Sequence, residues 1–532
     1  MQLPKQLLRM TTIDTMIEIQ QDNKNAALLA EILGDSGATH FGILRVKTES
    51  DKVCKTPTIV YISADCSGSM SDSCKDGRSK MQQINHAITN ILHIFAEKND
   101  DVEILVGLDA FDDKIHETFD LVRVTPQNVQ QLAMLVSQIH PIGSTNIELA
   151  LKTAANRMKG YRETYPSHRC IHIQLTDGDA NIGLSDPAKL AEIVDENYTN
   201  IFLGYGIEHN HPMLHTLGSK PRGDYRFIDK LENAGIVYGE VVHGILYPTI
   251  DVPEIHIENG EIYDWTTNEW SNSIKPSAIV SGIERIFHVR TANPLQICGE
   301  FTGIDMNAEL RCEPSVLDNI DVLPDLIDSA TGLRDIRDLT KYMFRHKTQI
   351  LLAETHKYSM QPASNLGTLK EKLKDFYKEM KEYMTTESLL DDPFMKVLLD
   401  DIYISYKTIG THLGQVYSGA RQTSQGRQHT YTVTNIDEDS GSGRMTSGIM
   451  SPPLPRRMNA LADDDDVYAF TPSKRLTARA YGGVALVDEE LDNSLTEEYE
   501  ILEHIMSDNT ETTYTSPQMI SLMRSASVPD RN

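Results

Sequence analysis

What this chain has little of narrows it before any motif is read. Six cysteines in 532 residues (Cys54, Cys66, Cys74, Cys170, Cys298 and Cys312) are too few and too scattered for a disulfide framework. No CxxC or Cys/His cluster offers a structural zinc site, so reduced thiols are expected. Basic charge is also short: 50 Lys+Arg stand against 77 Asp+Glu, a net charge of −27. Surplus acid on this scale repels phosphate backbones, so nucleic acid and anionic membranes are poor general partners, and cations or metal-bridged partners fit better. Apolar runs are short. None reaches the roughly 18 residues of a membrane span, and the opening MQLPKQLLRMTTIDTMIEIQ lacks the uninterrupted apolar stretch, about 7–15 residues, of a secretory signal. The expectation is a soluble, non-secreted, cytoplasmic protein, in which the single N-x-S/T sequon, Asn197-Tyr198-Thr199, carries no glycan.

From Thr58 to about Val242, short apolar runs alternate with amphipathic stretches, the pattern of a doubly wound α/β sheet. TIVYISAD reads as a first buried strand ending in a carboxylate, followed by VEILVGLDAF, CIHIQLTD, NIFLGYGI and DYRFI, with 115–124 as an edge strand. Apolar residues at three- and four-residue spacing predict helices over 78–96, 126–139, 146–158, 187–196 and 230–243. Strands apolar on both faces need helices on both sides, so the sheet is expected to be mostly parallel. The flanks differ: IDTMIEIQ and HFGILRVKT before this region, and alternating runs over 245–312 after it, predict a β-rich domain interrupted by the α/β domain. Helical periodicity follows, and then the composition turns to Gly, Ser, Thr, Pro and Gln. The expected domains are 12–56 and 244–315 as two parts of the β-rich domain, 57–243 as the inserted α/β domain, 320–418 as helical, and 419–532 as a disordered acidic tail. Within that tail, 484–506 has the Leu and Ile spacing of a helix that forms on a partner, or is a charged linker.

Three loops at expected strand ends carry hydroxyls and carboxylates: Asp65-Cys66-Ser67-Gly68-Ser69, Gly143-Ser144-Thr145-Asn146 and Thr176-Asp177-Gly178-Asp179. In an open α/β sheet such loops converge on one crevice. An all-oxygen donor set there is hard and suits Mg²⁺ or Mn²⁺. Plainer readings stand beside this one. Ser67, Ser69 and Thr145 each precede a helical segment and serve as caps, and Asp177 closes a turn with Gly178. Asp179 reads as a solvent-facing turn residue. Cys66 is expected to face the core, or to be a redox handle if exposed. Asp109, Asp112 and Asp113 follow the VEILVGL strand and either rim the site or, by default, are surface charge.

The set ADCSGSM, GSTNIELAL and LTDGDAN, in this order, resembles the von Willebrand factor type A (vWA) domain and its metal-ion-dependent adhesion site. The resemblance implies a Rossmann-like fold over 57–243 and a metal set of Asp65, Ser67, Ser69, Thr145 and Asp177. Ser67 and Ser69 would bind directly through their hydroxyls, Thr145 directly in the engaged state, and Asp65 and Asp177 mainly through water. It implies an Mg²⁺ (or Mn²⁺) whose coordination is completed by an Asp or Glu of a protein partner, which is recognition rather than catalysis. The split β-rich domain and the helical region ending in SGARQTSQGRQHTY also resemble bacterial and plant vWA proteins and the inter-alpha-trypsin inhibitor heavy chains. One rival is a metal-assisted hydrolase built on Asp177 and Asp179, for which no Lys or Arg stands at a matching loop. Another is an adaptor subunit of an ATPase complex; the chain has no G-x-x-x-x-G-K-[ST] loop, so the nucleotide chemistry would be the partner's. Oligomeric state is not readable from the sequence.

Overall fold

A computed structural model of the chain describes residues 13–20, 25–48, 54–74, 77–206, 209–228, 234–250, 253–303, 310–312, 327–328, 332–333, 338–360, 365–410, 412–428, 435–436, 445–446 and 516–526. The chain divides into two compact units. The second, Thr434–Thr510, shows among its described residues one short ladder of Asn435–Ile436 against Met445–Thr446. The elements named below belong to the first, Met1–Val433 with Glu511–Asn532.

That unit opens with β1 (Ile13–Ile19), α1 (Ala26–Leu33) and β2 (His40–Thr48). A six-stranded sheet follows: β3 (Thr58–Asp65), β4 (Ile104–Phe111), β5 (Ile115–Arg123), β6 (Arg169–Thr176), β7 (Thr199–Tyr205) and β8 (Gly223–Ile228), in the spatial order β5-β4-β3-β6-β7-β8. Every pairing in it is parallel except that of the edge strand β5 with β4. β3 and β4 are buried along their whole length, as unbroken apolar runs require, because both faces must be covered. The covering helices are α2 (Lys80–Glu97), α3 (Val129–Val136), α4 (Ile147–Thr164), α5 (Pro187–Ala191), α6 (His211–Gly218) and α7 (Gly235–Leu246). α2 starts at a capping box, in which Ser79 Oγ accepts the Gln82 N–H and Gln82 Oε1 accepts the Ser79 N–H. Ile84, Ile88 and Leu92 of α2, Leu132 of α3 and Val237 and Val241 of α7 share a core with one face of the sheet. Ala154 and Met158 of α4 meet Ile59, Tyr61, Cys170 and Tyr198 on the other.

After α7 come β9 (Pro248–Ile250), β10 (Glu254–Glu258), β11 (Glu261–Asp264), β12 (Glu269–Ser271), β13 (Ser273–Ile274), β14 (Ile279–Val280), β15 (Glu284–Thr291), β16 (Cys298–Thr302) and β17 (Leu310–Cys312). One sheet has the order β1-β2-β15-β11-β12, so segments from either side of the α/β insertion pair directly, β2 against β15. A second has the order β13-β10-β16-β17. Ile17, Leu44 and Val289 of the first share a core with Ile255, Ile257 and Phe301 of the second. The helical region holds α8 (Thr340–Met360), α9 (Leu366–Thr386), α10 (Pro393–Thr408) and α11 (His412–Arg427).

Two parts of the expected disordered tail are ordered. α11 continues past residue 418 to Arg427, and a last helix, α12 (Pro517–Ala526), packs on α7 and α2 with Met519, Leu522, Met523 and Ala526 buried. Low apolar content misled the first expectation. A β-carbon at Gly419 or Gly426 would overlap His211 or Trp265, so small residues let the α11 backbone sit close against its neighbours. The second segment is too short to stand alone, and it gains its stability from burial against the α/β domain. Residues 484–506 lie outside the described residues. No helix among the described residues is long and apolar enough to cross a membrane.

Candidate functional site

β3 ends at Asp65, whose carboxylate accepts the Ser67 backbone N–H at 2.8 Å and the Thr176 hydroxyl, from the end of β6, at 2.6 Å. These bonds fix the turn that presents Ser67 and Ser69, whose hydroxyl oxygens lie 3.2 Å apart. Ser69 Oγ donates to Asp177 Oδ1 at 2.7 Å. The Thr145 loop is held from below: its N–H donates to Asn181 Oδ1 at 2.7 Å and its carbonyl accepts the Asn181 and Ile182 N–H groups. A β-carbon on Gly178 would stand 3.4 Å from Thr145 Oγ1 and 3.8 Å from Ser69 Oγ, so both hydroxyls border the same small space. The fold therefore brings Asp65, Ser67, Ser69, Thr145 and Asp177 together. All are buried but Ser69, which opens the group to solvent. Asp179 is exposed.

Burial pushes the Asp65 carboxyl up to about 6; hydrogen bonds from Thr176 and Ser67 oppose that rise, and nearby Asp177 adds to it. Loss of hydration is thus what chiefly disfavours the charged form of Asp65. One cation does reach the crevice. Lys80, the first residue of α2, sends its ammonium to Asp177 Oδ2 at 2.6 Å and to Asp72 Oδ2 at 3.1 Å. Burial works against that charge, but the bonds to Asp177 and Asp72 prevail and hold the lysine pKa above its ordinary value. This corrects the expectation that no Lys or Arg meets these loops: Lys80 and Asp177 are 97 residues apart, and only the fold joins them.

The expected surface charges also need correcting. Asp109 is buried within β4, where its carboxylate accepts from Tyr61 Oη at 2.6 Å and Arg157 Nε at 3.2 Å. Asp112 is buried just past the strand, bonded to the Lys114 N–H at 2.7 Å and to His116 Nε2 at 2.9 Å. A polar residue on an interior strand has no route to solvent, so it recruits partners. Cys66 is buried as expected, and its burial, with Asp112 and Asp65 beside it, pushes the thiol up to about 12. The donor atoms around Ser67, Ser69 and Thr145 are hydroxyl and carboxylate oxygens, which match a hard divalent cation in type and in charge.

Residues 60–179 match the von Willebrand factor type A domain. The protein contains a vWA domain. Its matched stretch begins within β3 and ends just past Asp177, taking in all three loops of the crevice. The inter-alpha-trypsin inhibitor heavy chain H3 of Mus musculus is 32% identical over 229 residues, 42% of this chain and 24% of that one. Its Homo sapiens counterpart is 29% identical over 231 residues, 42% and 25%. The chain thus spans about a quarter of the length of these curated relatives. Among solved structures, a von Willebrand factor type A protein from Catenulispora acidiphila is similar at 15% identity and a TM-score of 0.48, over 74% of this chain and 90% of that one.

Proposed function

We propose that the vWA domain is a non-enzymatic protein-interaction module that captures an Asp or Glu of a partner protein through Mg²⁺ (or Mn²⁺). The observation that carries the reading is the convergence of three hydroxyls, Ser67, Ser69 and Thr145, with two buried carboxylates at one solvent-opening point. Ser67, Ser69 and Thr145 would hold the ion directly, with Asp65 and Asp177 behind them. Neutral inner ligands leave the cation electron-poor, so a carboxylate arriving from outside gains a strong charge-assisted contact.

A hydrolase reading gains something from Lys80, since phosphoryl chemistry needs a cation near the acid pair. That ammonium, however, is already engaged by two carboxylates of its own chain, which favours recognition. Calorimetric Mg²⁺ titration of the full chain against Asp65→Ala and Thr145→Ala checks the site, with binding expected in the first and lost or strongly weakened in the others. Equal binding in all three rejects it. Partner capture that survives EDTA rejects the bridging mechanism even if the ion binds.

A further inference from the structure

The ends of three adjacent strands assemble another donor set. β3 and β4 run parallel with Ala64 opposite Ala110, while β5 runs antiparallel to β4 with His116 opposite Ala110. Side chains alternate along a strand, so Cys66 and Asp112, two residues past those alanines, share their face with His116. The Cys66 Sγ, an Asp112 carboxylate oxygen and a His116 ring nitrogen all lie within 4.8 Å of one another. Cys66 and Asp112 are buried, and the His116 side chain, 41% exposed, gives the group an outlet to solvent.

We propose that Cys66, Asp112 and His116 form a second divalent-cation site, one that takes Zn²⁺ with water as a fourth ligand. A thiol, an imidazole and a carboxylate make a borderline-soft set, unlike the hydroxyl-rich crevice one residue away on either side of Cys66. Tetrahedral zinc holds sulfur at about 2.3 Å and nitrogen or oxygen at about 2.0–2.2 Å, so the sulfur has to close on the other two donors by up to roughly 1 Å, while Asp112 and His116, now hydrogen-bonded at 2.9 Å, part slightly. The thiol proton leaves to solvent as the thiolate binds the metal. Zn²⁺ with one thiolate and one carboxylate is then neutral overall, which suits a mostly buried position better than the carboxylate alone. Asp112 also links this group to the Thr145 loop. Its carbonyl accepts the Asn146 N–H at 3.0 Å, and Gly143, at φ +70, leaves no room for a β-carbon beside Asp112 Oδ2. Zinc there would brace the ends of β3, β4 and β5 together with that loop.

The proposal does not depend on the Mg²⁺ reading, and its test keeps the two apart. Metal-stripped full chain is titrated with Co²⁺ in excess Mg²⁺ and watched for thiolate-to-cobalt charge-transfer absorption, then with Zn²⁺ as competitor. The wild type should show the band, and about one equivalent of Zn²⁺ should abolish it. Cys66→Ser should lose the band, and His116→Ala should weaken Zn²⁺ at least ~10-fold, since even indirect support for a ligand is worth that much. Thr145→Ala should keep the band whatever it does to Mg²⁺. The proposal is overturned by no band in the wild type, by a band that persists in Cys66→Ser, or by unchanged Zn²⁺ affinity in a folded His116→Ala.

Discussion

Two of the places where this protein gathers buried charge treat it oppositely. In the crevice of the vWA domain, Asp65 and Asp177 are backed by the Lys80 ammonium and by hydroxyls, and Ser69 leaves the group open to solvent. Along α11 the charges are closed in. Arg421 Nη1 donates to Asp400 Oδ2 and Asp401 Oδ1, each at 2.6 Å, and Gln425 Nε2 to Asp401 Oδ2 at 2.8 Å. Arg427 reaches across to the α/β domain, donating to the carbonyls of Gly218 and Gly223 at 3.1 and 2.8 Å and pairing with Asp224. Gln428 grips both the N–H and the C=O of Ile286 in the β-rich part. Similar groups therefore make a joint where the chain itself supplies the partners, and leave a solvent-open crevice, the receptor of the proposed function, where it does not.

The largest effect separating the two should come from removing one cation from each. Arg421→Met takes the cation from two buried carboxylates and should cost about 3–5 kcal/mol in denaturant unfolding. Lys80→Met, at the solvent-reaching site, should cost about 1 kcal/mol or less. Equal losses would break the comparison.

A smaller effect is expected from pH. His211 and His215 of α6 and His356 of α8 cluster beside α11, their rings tilted or edge-on with centroids 4.9–5.5 Å apart. Burial lowers all three; His215, further lowered by His356 and Arg427, sits at about 3, and His211 well below its ordinary value. Folded pKa values below the unfolded ~6.5 mean that the unfolded chain binds protons more readily. The stability from neutral rings is thus fully present above about 6.5 and declines as pH falls toward 3. The melting temperature should drop steadily from pH 7 to pH 5, and His215→Phe should flatten that slope. A slope unchanged by the substitution would remove these rings from the joint.

The smallest effect returns to the crevice. Without its ammonium on Asp177, Lys80→Met should bind Mg²⁺ tighter, by a factor of about 10 or less given partial solvent screening. Weaker binding in calorimetry would mean that Lys80 supports the site rather than competing for it.

Much of the α/β core was legible because its strands, TIVYISAD foremost, are apolar on both faces and its helices keep a steady period. Four of the five crevice residues were legible for a related reason: a short loop at a parallel strand's end has a position that topology dictates, which places Asp65, Ser67, Ser69 and Asp177. Thr145 is the exception, because its loop joins α3 to α4 instead of ending a strand as expected, and only the resemblance to the vWA motif singled it out. What stayed hidden depends on distant partners. Nothing local marks Lys80 as the companion of Asp177, or Arg427 as the anchor for carbonyls about 200 residues away in sequence. α6 is short, with a proline in its first turn and histidines that gain meaning only against α8. α11 is rich in Gly, Ser, Thr and Gln, a composition that looks unfoldable until Arg421 and Gln425 find their acids.

The helix α12 has a consequence for the order in which the protein is made. Leu522 and Ala526 complete the core of the six-stranded sheet, and Asn90 of α2 donates to the Ala526 carbonyl at 3.0 Å. The groove between α2 and α7 nonetheless leaves the ribosome about 270 residues before its cover does. At about 5–20 residues per second, that is roughly 14–54 s during which a nascent chain carries an uncovered apolar seam. The vWA domain, though finished as a sequence by residue 246, is finished as a packed object only after the rest of the chain has been translated around it.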